Sequence, residues 1–231
     1  MAPIPSYLYV PNVIGYVRVV LQLTSFMVAL DHVTIAVICY VVAQGLDAVD
    51  GIAARMFNQC SELGRVLDMV TDRTSTVCLC LVLARLYPQY VGYLTVLVTI
   101  DLFSHWYHMH ATLISAQSTH KGSPNWVVRL YYCKPVLFTI CAMTELWYVS
   151  LYAMHFAPDW RPLWNPLALV QVPGLLAMPS QVPAWTFACY GSTPFFLFKQ
   201  VTNIAQFVEA CKVLVRLDAQ QKEEEAARRK Q

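Results

Sequence analysis

The chain has 231 residues, of which 57% are apolar and only 13% are Asp, Glu, Lys or Arg. Soluble domains carry roughly 45–50% apolar and about 25% charged residues, so this composition excludes a disordered chain and argues against a soluble globule. A formal net charge of +2 is too small to indicate a nucleic-acid partner. Because one span takes roughly 20 residues, we predict an all-α, polytopic integral membrane protein with about six transmembrane helices.

The apolar segments are separated by prolines and polar loops. Six are predicted as spans: residues 7–30, 33–48, 66–86, 90–110, 135–156 and 194–217. The proline-rich stretch 158–194 is predicted to be a lumenal loop, with a poorly formed extra hairpin as the alternative. Residues 1–217 then form one membrane domain, and residues 218–231 form a solvated cytoplasmic tail.

The basic residues predict the orientation of the chain in the membrane. Cytoplasmic loops are enriched in Lys and Arg, and an even number of spans returns both termini to the same side. We therefore expect both termini in the cytoplasm, together with the two loops between spans two and three and between spans four and five, whose basic residues are Arg55, Arg65, Arg73, Lys121, Arg129 and Lys134.

Acidic residues are concentrated where the second predicted span meets the third. Asp47 and Asp50 are three residues apart, and Asp68 and Asp72 are four apart, so each pair lies on one face of its helix. Such side chains often only cap or solvate helix ends. Two pairs at one end of a helical hairpin, however, bring four carboxylates together, and hard divalent cations such as Mg²⁺ or Mn²⁺ prefer oxygen ligands. The spacing predicts a divalent-metal site.

Small residues and an arginine accompany the acidic pairs. Gly51, Ala54 and Gly64 would let a ligand approach the helix backbone, although small residues also serve helix packing. Arg55 could hold a phosphate through two parallel hydrogen bonds. Arg18 of the first span is a candidate for the same cavity, together with Asn12, but snorkelling toward water explains Arg18 equally well. A metal site together with Arg55 indicates a pyrophosphate ligand.

These residues form a pattern that resembles the signature of the CDP-alcohol phosphatidyltransferase family. The fixed positions and gaps are Asp47-x2-Asp50-Gly51-x2-Ala54-Arg55-x8-Gly64-x3-Asp68-x3-Asp72. Further segments resemble the members that use myo-inositol: VPNVIGYVR at 10–18, GLDAVDGIAARMFNQ at 45–59, LDMVTDR at 67–73, SHWYHMH at 104–110 and RLYY at 129–132. The resemblance covers about residues 7–156, and the proline-rich stretch is longer than is usual in the family.

The resemblance implies a transfer reaction at the surface of the endoplasmic reticulum membrane. It implies that CDP-diacylglycerol binds near Gly51, Ala54, Arg55 and Gly64, with its acyl chains in lipid, and that an alcohol attacks the β-phosphorus and releases CMP. Two metal ions held by the aspartates would stabilise the leaving CMP. Asp72 would be the general base for the acceptor hydroxyl, and the enzyme would be a homodimer.

The acceptor pocket is less sharply defined by the sequence. Myo-inositol has six hydroxyls and no charge, so its pocket must be polar, and we predict His105, Arg129 and Lys134 as acceptor residues. His105 follows Asp101 at a spacing of four, which would allow a hydrogen-bond network, whereas solvation at the membrane interface is the plainer interpretation.

Three other functions remain open at this stage. The first is the same chemistry with another alcohol, such as serine or glycerol phosphate. The second is a divalent-cation transporter that uses the four aspartates in transit, which Arg55 and the absence of a second acidic helix pair disfavour. The third is a scaffold with a degenerate site, disfavoured because no position of the pattern is degenerate.

Overall fold

The computed structural model describes residues 4–115, 126–157 and 183–229. Within these ranges every regular element is helical. The α-helices are α1 Val10–Met27, α2 Val33–Met56, α3 Glu62–Leu86, α4 Val91–Ser115, α5 Trp126–Tyr131, α6 Lys134–Phe156 and α7 Ala184–Arg228. The predicted all-α architecture is therefore observed in the part of the chain that is described.

The chain divides into two compact units, Met1–Leu94 and Thr95–Gln231, with the boundary inside α4. In the first unit, α1 packs against both α2 and α3. In the second unit, α6 packs along α7, and the short α5 contacts both of them. The predicted hairpin of the second and third spans is thus organised by a third helix, because α1 supplies the surface on which both α2 and α3 pack.

The helices expose many large apolar side chains and bury several polar ones, which is unusual for a soluble protein. On α1, Arg18 and Gln22 are buried, whereas Val20, Leu23 and Met27 are exposed. Apolar outer faces of this kind suit helices that are surrounded by lipid. Two helices, α2 and α6, are long and apolar enough to cross a membrane. The number of six spans remains a prediction.

Local signals set the turn between α2 and α3. Asn58 adopts the left-handed conformation, with φ of 53°, just past the end of α2. The N–H of Asn58 donates to the carbonyl of Arg55 at 3.4 Å, and that of Gln59 to the carbonyl of Ala54 at 2.9 Å, the bonds of a Schellman motif. Ser61 then caps α3 by accepting the N–H of Gly64 at 3.0 Å. The acidic pairs therefore lie on either side of a defined reversal.

Helix α7 differs from the prediction at both ends. We expected a loop as far as residue 194 and a span over 194–217, but α7 begins at Ala184, contains Pro194 and ends at Arg228. Residues 158–182 of the predicted loop lie outside the described residues. Pro194 cannot donate an N–H, but packing against α6 offsets that loss: the Phe196 ring stacks on Trp147 at 3.8 Å. Tertiary contact therefore overrides the helix-breaking tendency of proline.

Candidate active site

One arginine contacts all four aspartates of the sequence pattern. Arg18 Nη1 donates to Asp50 Oδ2 at 2.6 Å and to Asp68 Oδ1 at 2.8 Å. Its other terminal nitrogen, Nη2, donates to Asp72 Oδ1 at 2.9 Å and forms an ion pair with Asp47. The Arg18 side chain is fully buried. Snorkelling is thus the wrong interpretation of Arg18, because its charge is compensated inside the protein.

The carboxylates approach one another as their spacing predicts. One oxygen each from Asp47, Asp50 and Asp68 lie within 4.8 Å of one another, and Asp72 joins this group through Arg18. The second oxygen of Asp72 faces Arg73 Nη2 at 3.7 Å. Asp68 has a side-chain exposure of 51% and Asp47 of 41%, whereas Asp50 has only 14%. The cluster therefore has an open side and a buried side.

This donor set fits a hard divalent cation. All the ligating atoms are carboxylate oxygens, which Mg²⁺ and Mn²⁺ prefer, and three of them are close enough to surround one ion. Four carboxylates around a single guanidinium also leave a formal charge of 1 − 4 = −3, which favours cation binding. Asp47, Asp50, Asp68 and Asp72 are the residues that could hold the metal.

A cavity of about 470 Å³ adjoins the open side of the cluster. Its wall includes the aspartates Asp50 and Asp68 and three of the small residues that the sequence singled out, Gly51, Ala54 and Gly64. The remaining lining residues come from α1, from the α2–α3 turn and from the first two turns of α3: Pro11, Asn12, Gly15, Gln59, Cys60, Ser61, Glu62, Arg65 and Leu67. A ligand in this cavity would contact the carboxylates from the side of the turn.

Two glycines of the pattern have different structural roles. A Cβ on Gly64 would lie 2.5 Å from Asn12 Oδ1, closer than real atoms come, so Gly64 is required for α3 to pack against α1. A Cβ on Gly51 would meet only the Arg55 guanidinium, at 3.6 Å, which is ordinary contact. The small residue at 51 therefore keeps space on the ligand side, whereas the one at 64 holds the two helices together.

Arg55 lies next to Gly51 on the exposed surface of α2. Its guanidinium makes no ion pair with the residues that the structure describes, and it is not part of the cavity wall. The Arg55 guanidinium is always charged and presents two parallel N–H donors, so it remains suited to binding a phosphate. The structure thus places the Arg55 guanidinium beside Gly51 of the cavity wall and outside the carboxylate network.

His105 lies in the second unit and makes the predicted link to Asp101. Its Nδ1 is 2.8 Å from the backbone carbonyl of Asp101 and 3.5 Å from Asp101 Oδ1, and the hydroxyl of Ser104 is 3.0 Å from the same nitrogen. Asn203 of α7 donates to Asp101 Oδ1 at 3.2 Å. The other acceptor candidates, Arg129 on α5 and Lys134 at the start of α6, are exposed.

Sequence reasoning missed the polar face of α7. Lys199 is buried and donates to the Tyr131 hydroxyl at 2.6 Å, and Gln206 donates to the Tyr132 hydroxyl at 2.7 Å. Together with Asn203, these residues recur at helical spacing in an otherwise apolar segment. Such recurrence of polar residues is the signal that could have indicated a buried polar face.

The fold and the site together define a helical membrane protein with an aspartate-lined ligand cavity. A family model described as CDP-alcohol phosphatidyltransferase matches residues 8–164, and the chain belongs to that family. The family and the integral-membrane fold class predicted from the sequence are therefore confirmed.

Individual relatives are similar over most of their length. The CDP-diacylglycerol–inositol 3-phosphatidyltransferase of Schizosaccharomyces pombe is 39% identical over 222 residues, which are 94% of this chain and 92% of the relative. The Homo sapiens protein of the same name is 37% identical over 217 residues, covering 92% and 94%. The one from Drosophila melanogaster is 40% identical over 176 residues, covering 76% and 78%. No solved structure matches this chain.

Proposed function

We propose that this protein is a transferase that moves the phosphatidyl group of CDP-diacylglycerol to myo-inositol and releases CMP. One observation carries the proposal: the four motif aspartates meet around Arg18 beside a cavity, in a chain whose relatives are named for this reaction. The names of those relatives support inositol over serine or glycerol phosphate. The family membership argues against a cation transporter and a scaffold.

The cavity of the first unit is the proposed nucleotide-lipid site. Gly51, Ala54 and Gly64 leave space for the cytidine and the pyrophosphate, and the acyl chains extend into lipid. Arg55 holds a phosphate oxygen through charge-assisted hydrogen bonds, which are about twice as strong as neutral ones. This arrangement directs the β-phosphorus toward the open side of the carboxylate cluster.

The cofactor is proposed to be Mg²⁺ or Mn²⁺, as two ions held by Asp47, Asp50, Asp68 and Asp72. When bound, such cations neutralise the pyrophosphate and the charge that develops on the departing CMP. The carboxylates contribute by fixing the ligand positions before substrate arrives, so that little reorganisation is needed during the reaction.

Asp72 is the proposed general base. It takes the proton of the inositol hydroxyl while the hydroxyl oxygen forms a bond to the β-phosphorus. The bond from that phosphorus to the oxygen shared with CMP breaks, and CMP leaves with the electron pair. Asp72 is partly exposed, with Oδ1 bonded to Arg18 and Oδ2 at 3.7 Å from Arg73, and Oδ2 is the oxygen proposed to take the proton. A base in reach contributes roughly 10²–10⁴-fold.

His105, Arg129 and Lys134 are proposed to contact the acceptor. The link between His105 and Asp101 supports a polar pocket, because a fixed imidazole can exchange hydrogen bonds with a neutral polyol. Arg129 and Lys134 are exposed, which leaves their donors available.

The cellular setting is proposed as follows. Residues 1–217 form a multi-pass domain in the endoplasmic reticulum membrane, and residues 218–231 form a cytoplasmic tail. The active site and both termini face the cytoplasm, as the distribution of Lys and Arg favours. The enzyme works as a homodimer, which follows from family analogy alone.

The test is CMP release by the purified protein in detergent with CDP-diacylglycerol and Mg²⁺ or Mn²⁺. Myo-inositol, serine and glycerol phosphate are supplied in parallel tubes, and each reaction is repeated with a metal chelator. We expect release only with inositol and only with free metal. Release with another alcohol alone would overturn the acceptor, and release in the chelator would overturn the metal requirement.

A further inference from the structure

The terminal nitrogens of Arg18 are fully committed to the aspartates. Nη1 contacts the carboxylates of Asp50 and Asp68, and Nη2 contacts those of Asp47 and Asp72. The side chain has no exposed surface, although Asp68 and Asp47 are about half-exposed. The guanidinium is therefore the inner member of the cluster, and the carboxylates separate it from water.

The three carboxylates that could surround a metal, those of Asp47, Asp50 and Asp68, are the same ones that Arg18 contacts. A guanidinium nitrogen sits at hydrogen-bond distance, 2.6 to 2.9 Å here, whereas Mg²⁺ binds carboxylate oxygen at about 2.0–2.1 Å and demands octahedral geometry. One centre cannot be occupied by both cations. A divalent ion that binds through the oxygens facing Arg18 must displace the guanidinium, whereas one that binds through the opposite oxygens of the same carboxylates leaves it in place.

The balance of charge makes such an exchange feasible. Without any cation, four neighbouring carboxylates would repel one another strongly, and one buried arginine offsets only part of that repulsion. Divalent ions would compensate the carboxylates more completely. In addition, Arg18 Nε is buried and has no hydrogen-bond partner among the described residues, so Arg18 is not anchored through that atom.

Two polar groups on the face of α3 that carries Asp68 and Asp72 could accept hydrogen bonds from the guanidinium, because residues 68, 71, 72 and 75 share one face at helical spacing. The hydroxyls of Thr71 and Ser75 are buried and lack hydrogen-bond partners in the described structure. The two helices run in the same direction, since Asn12 contacts Gly64 and Gly15 contacts Leu67. This register places Thr71 at the level of Arg18 and Ser75 one turn beyond it. Hydroxyl oxygens can accept guanidinium N–H groups.

We propose that Arg18 is a positioning residue that exchanges with divalent metal at the carboxylate cluster. Its guanidinium holds the four aspartates together when metal is absent and gives up their oxygens when metal binds. The proposal rests on the metal requirement of the proposed function. The alternative is that Arg18 is a strut, meaning that it keeps its hydrogen bonds to the carboxylates when metal binds and holds them in place for the metal.

The two roles predict opposite changes in metal affinity. If Arg18 competes with metal, Arg18→Gln removes the competitor and lowers the dissociation constant for Mn²⁺ by roughly tenfold or more, because a buried ion-pair network no longer has to be broken. If Arg18 is a strut, the same change raises that dissociation constant. The competing role further predicts that Arg18→Gln lowers the melting temperature in chelator and that saturating Mn²⁺ restores most of the loss.

The experiment measures Mn²⁺ binding to the full-length protein in detergent by titration calorimetry and electron paramagnetic resonance, without substrate. Arg18→Gln and Arg18→Lys are compared with Arg85→Gln, which removes an exposed arginine from the last turn of α3. We expect tighter binding in Arg18→Gln, an intermediate value in Arg18→Lys, and no change in Arg85→Gln. Weaker binding in either Arg18 variant, or a stability loss that Mn²⁺ does not restore, would overturn the proposal.

Arg18→Lys provides a second measurement of the same effect if Arg18→Gln does not fold. Lysine keeps the charge but, as a point donor, cannot contact four carboxylates at once, so it still weakens the competition. Because no CDP-diacylglycerol or inositol is present, a protein that binds Mn²⁺ as expected but transfers nothing to inositol would contradict only the proposed function.

Discussion

Asn12 and Gly64 fit so closely that a side chain at position 64 would overlap Asn12 unless one of the two shifted. A Cβ there would lie 2.5 Å from Asn12 Oδ1, and Asn12 itself is held by hydrogen bonds from its amide to the Ser6 carbonyl at 2.6 Å and the Ser61 hydroxyl at 3.3 Å. Moving Asn12 Oδ1 away from position 64 would therefore break or weaken these hydrogen bonds. This contact ties α1 to the start of α3, on the wall of the ligand cavity.

Gly64→Ala is expected to destabilise the protein by about 1–3 kcal/mol, the usual cost of overpacking, and to raise the KM for CDP-diacylglycerol. Gly45→Ala is the matched control, since a Cβ at Gly45 meets nothing within 4 Å and alanine favours helix. Thermal unfolding in detergent checks both changes. Equal melting temperatures for the two variants would contradict the role given to Asn12.

Asp72→Asn is expected to lower kcat by roughly 10²–10⁴-fold, because the amide cannot take the proton of the acceptor hydroxyl. The KM for CDP-diacylglycerol should change less than kcat, since the amide oxygen can still serve as a metal ligand and the other three aspartates are unaltered. The control is Asp31→Asn, which alters an exposed carboxylate between α1 and α2. A kcat near that of the unaltered protein would remove Asp72 as the base.

Arg55→Lys is expected to raise the KM for CDP-diacylglycerol by up to roughly tenfold, about 1.4 kcal/mol, with a smaller effect on kcat. The reason is that an ammonium cannot form the two parallel bonds of a guanidinium with phosphate. Because Arg55 has no ion-pair partner among the described residues, the change should not affect stability. An unchanged KM would exclude Arg55 from the phosphate site, and Arg85→Lys controls for the loss of guanidinium.

His105→Ala is expected to raise the KM for myo-inositol by roughly tenfold without raising the KM for CDP-diacylglycerol, since it removes a hydrogen-bonding group from the acceptor side. His110→Ala changes an exposed histidine on the same helix and serves as control. Steady-state kinetics with each substrate varied in turn separates the two constants. Parallel increases in both would indicate a structural role for His105 instead.

The sequence predicts the acidic cluster because helical spacing alone aligns Asp47 with Asp50 and Asp68 with Asp72. It does not predict Arg18 as their partner, since pairing between separate helices depends on which faces α1 presents to α2 and α3. An isolated arginine in an apolar segment is equally compatible with a buried ion pair and with snorkelling. Only the packed structure decides between them.

The start of α7 shows the opposite limit. Prolines in residues 158–194 indicate a loop by local propensity, so the sequence predicts that the span begins at Pro194. The stacking of Phe196 on Trp147 and the bond from Trp147 Nε1 to the Thr193 hydroxyl, at 3.2 Å, are contacts between distant parts of the chain. Local sequence patterns carry no information about such contacts, so the helix start was missed.

The length of α7 has a consequence for how the molecule can be observed. Its 45 residues, at about 1.5 Å each, form a rod of roughly 67 Å, about twice the thickness of the hydrocarbon layer. The charged final turns are exposed in the described residues, and we therefore expect them to lie in water and not in lipid. A fluorophore or epitope attached there would report on which side of a bilayer the end of α7 lies, and it would alter no residue of α1, α2 or α3.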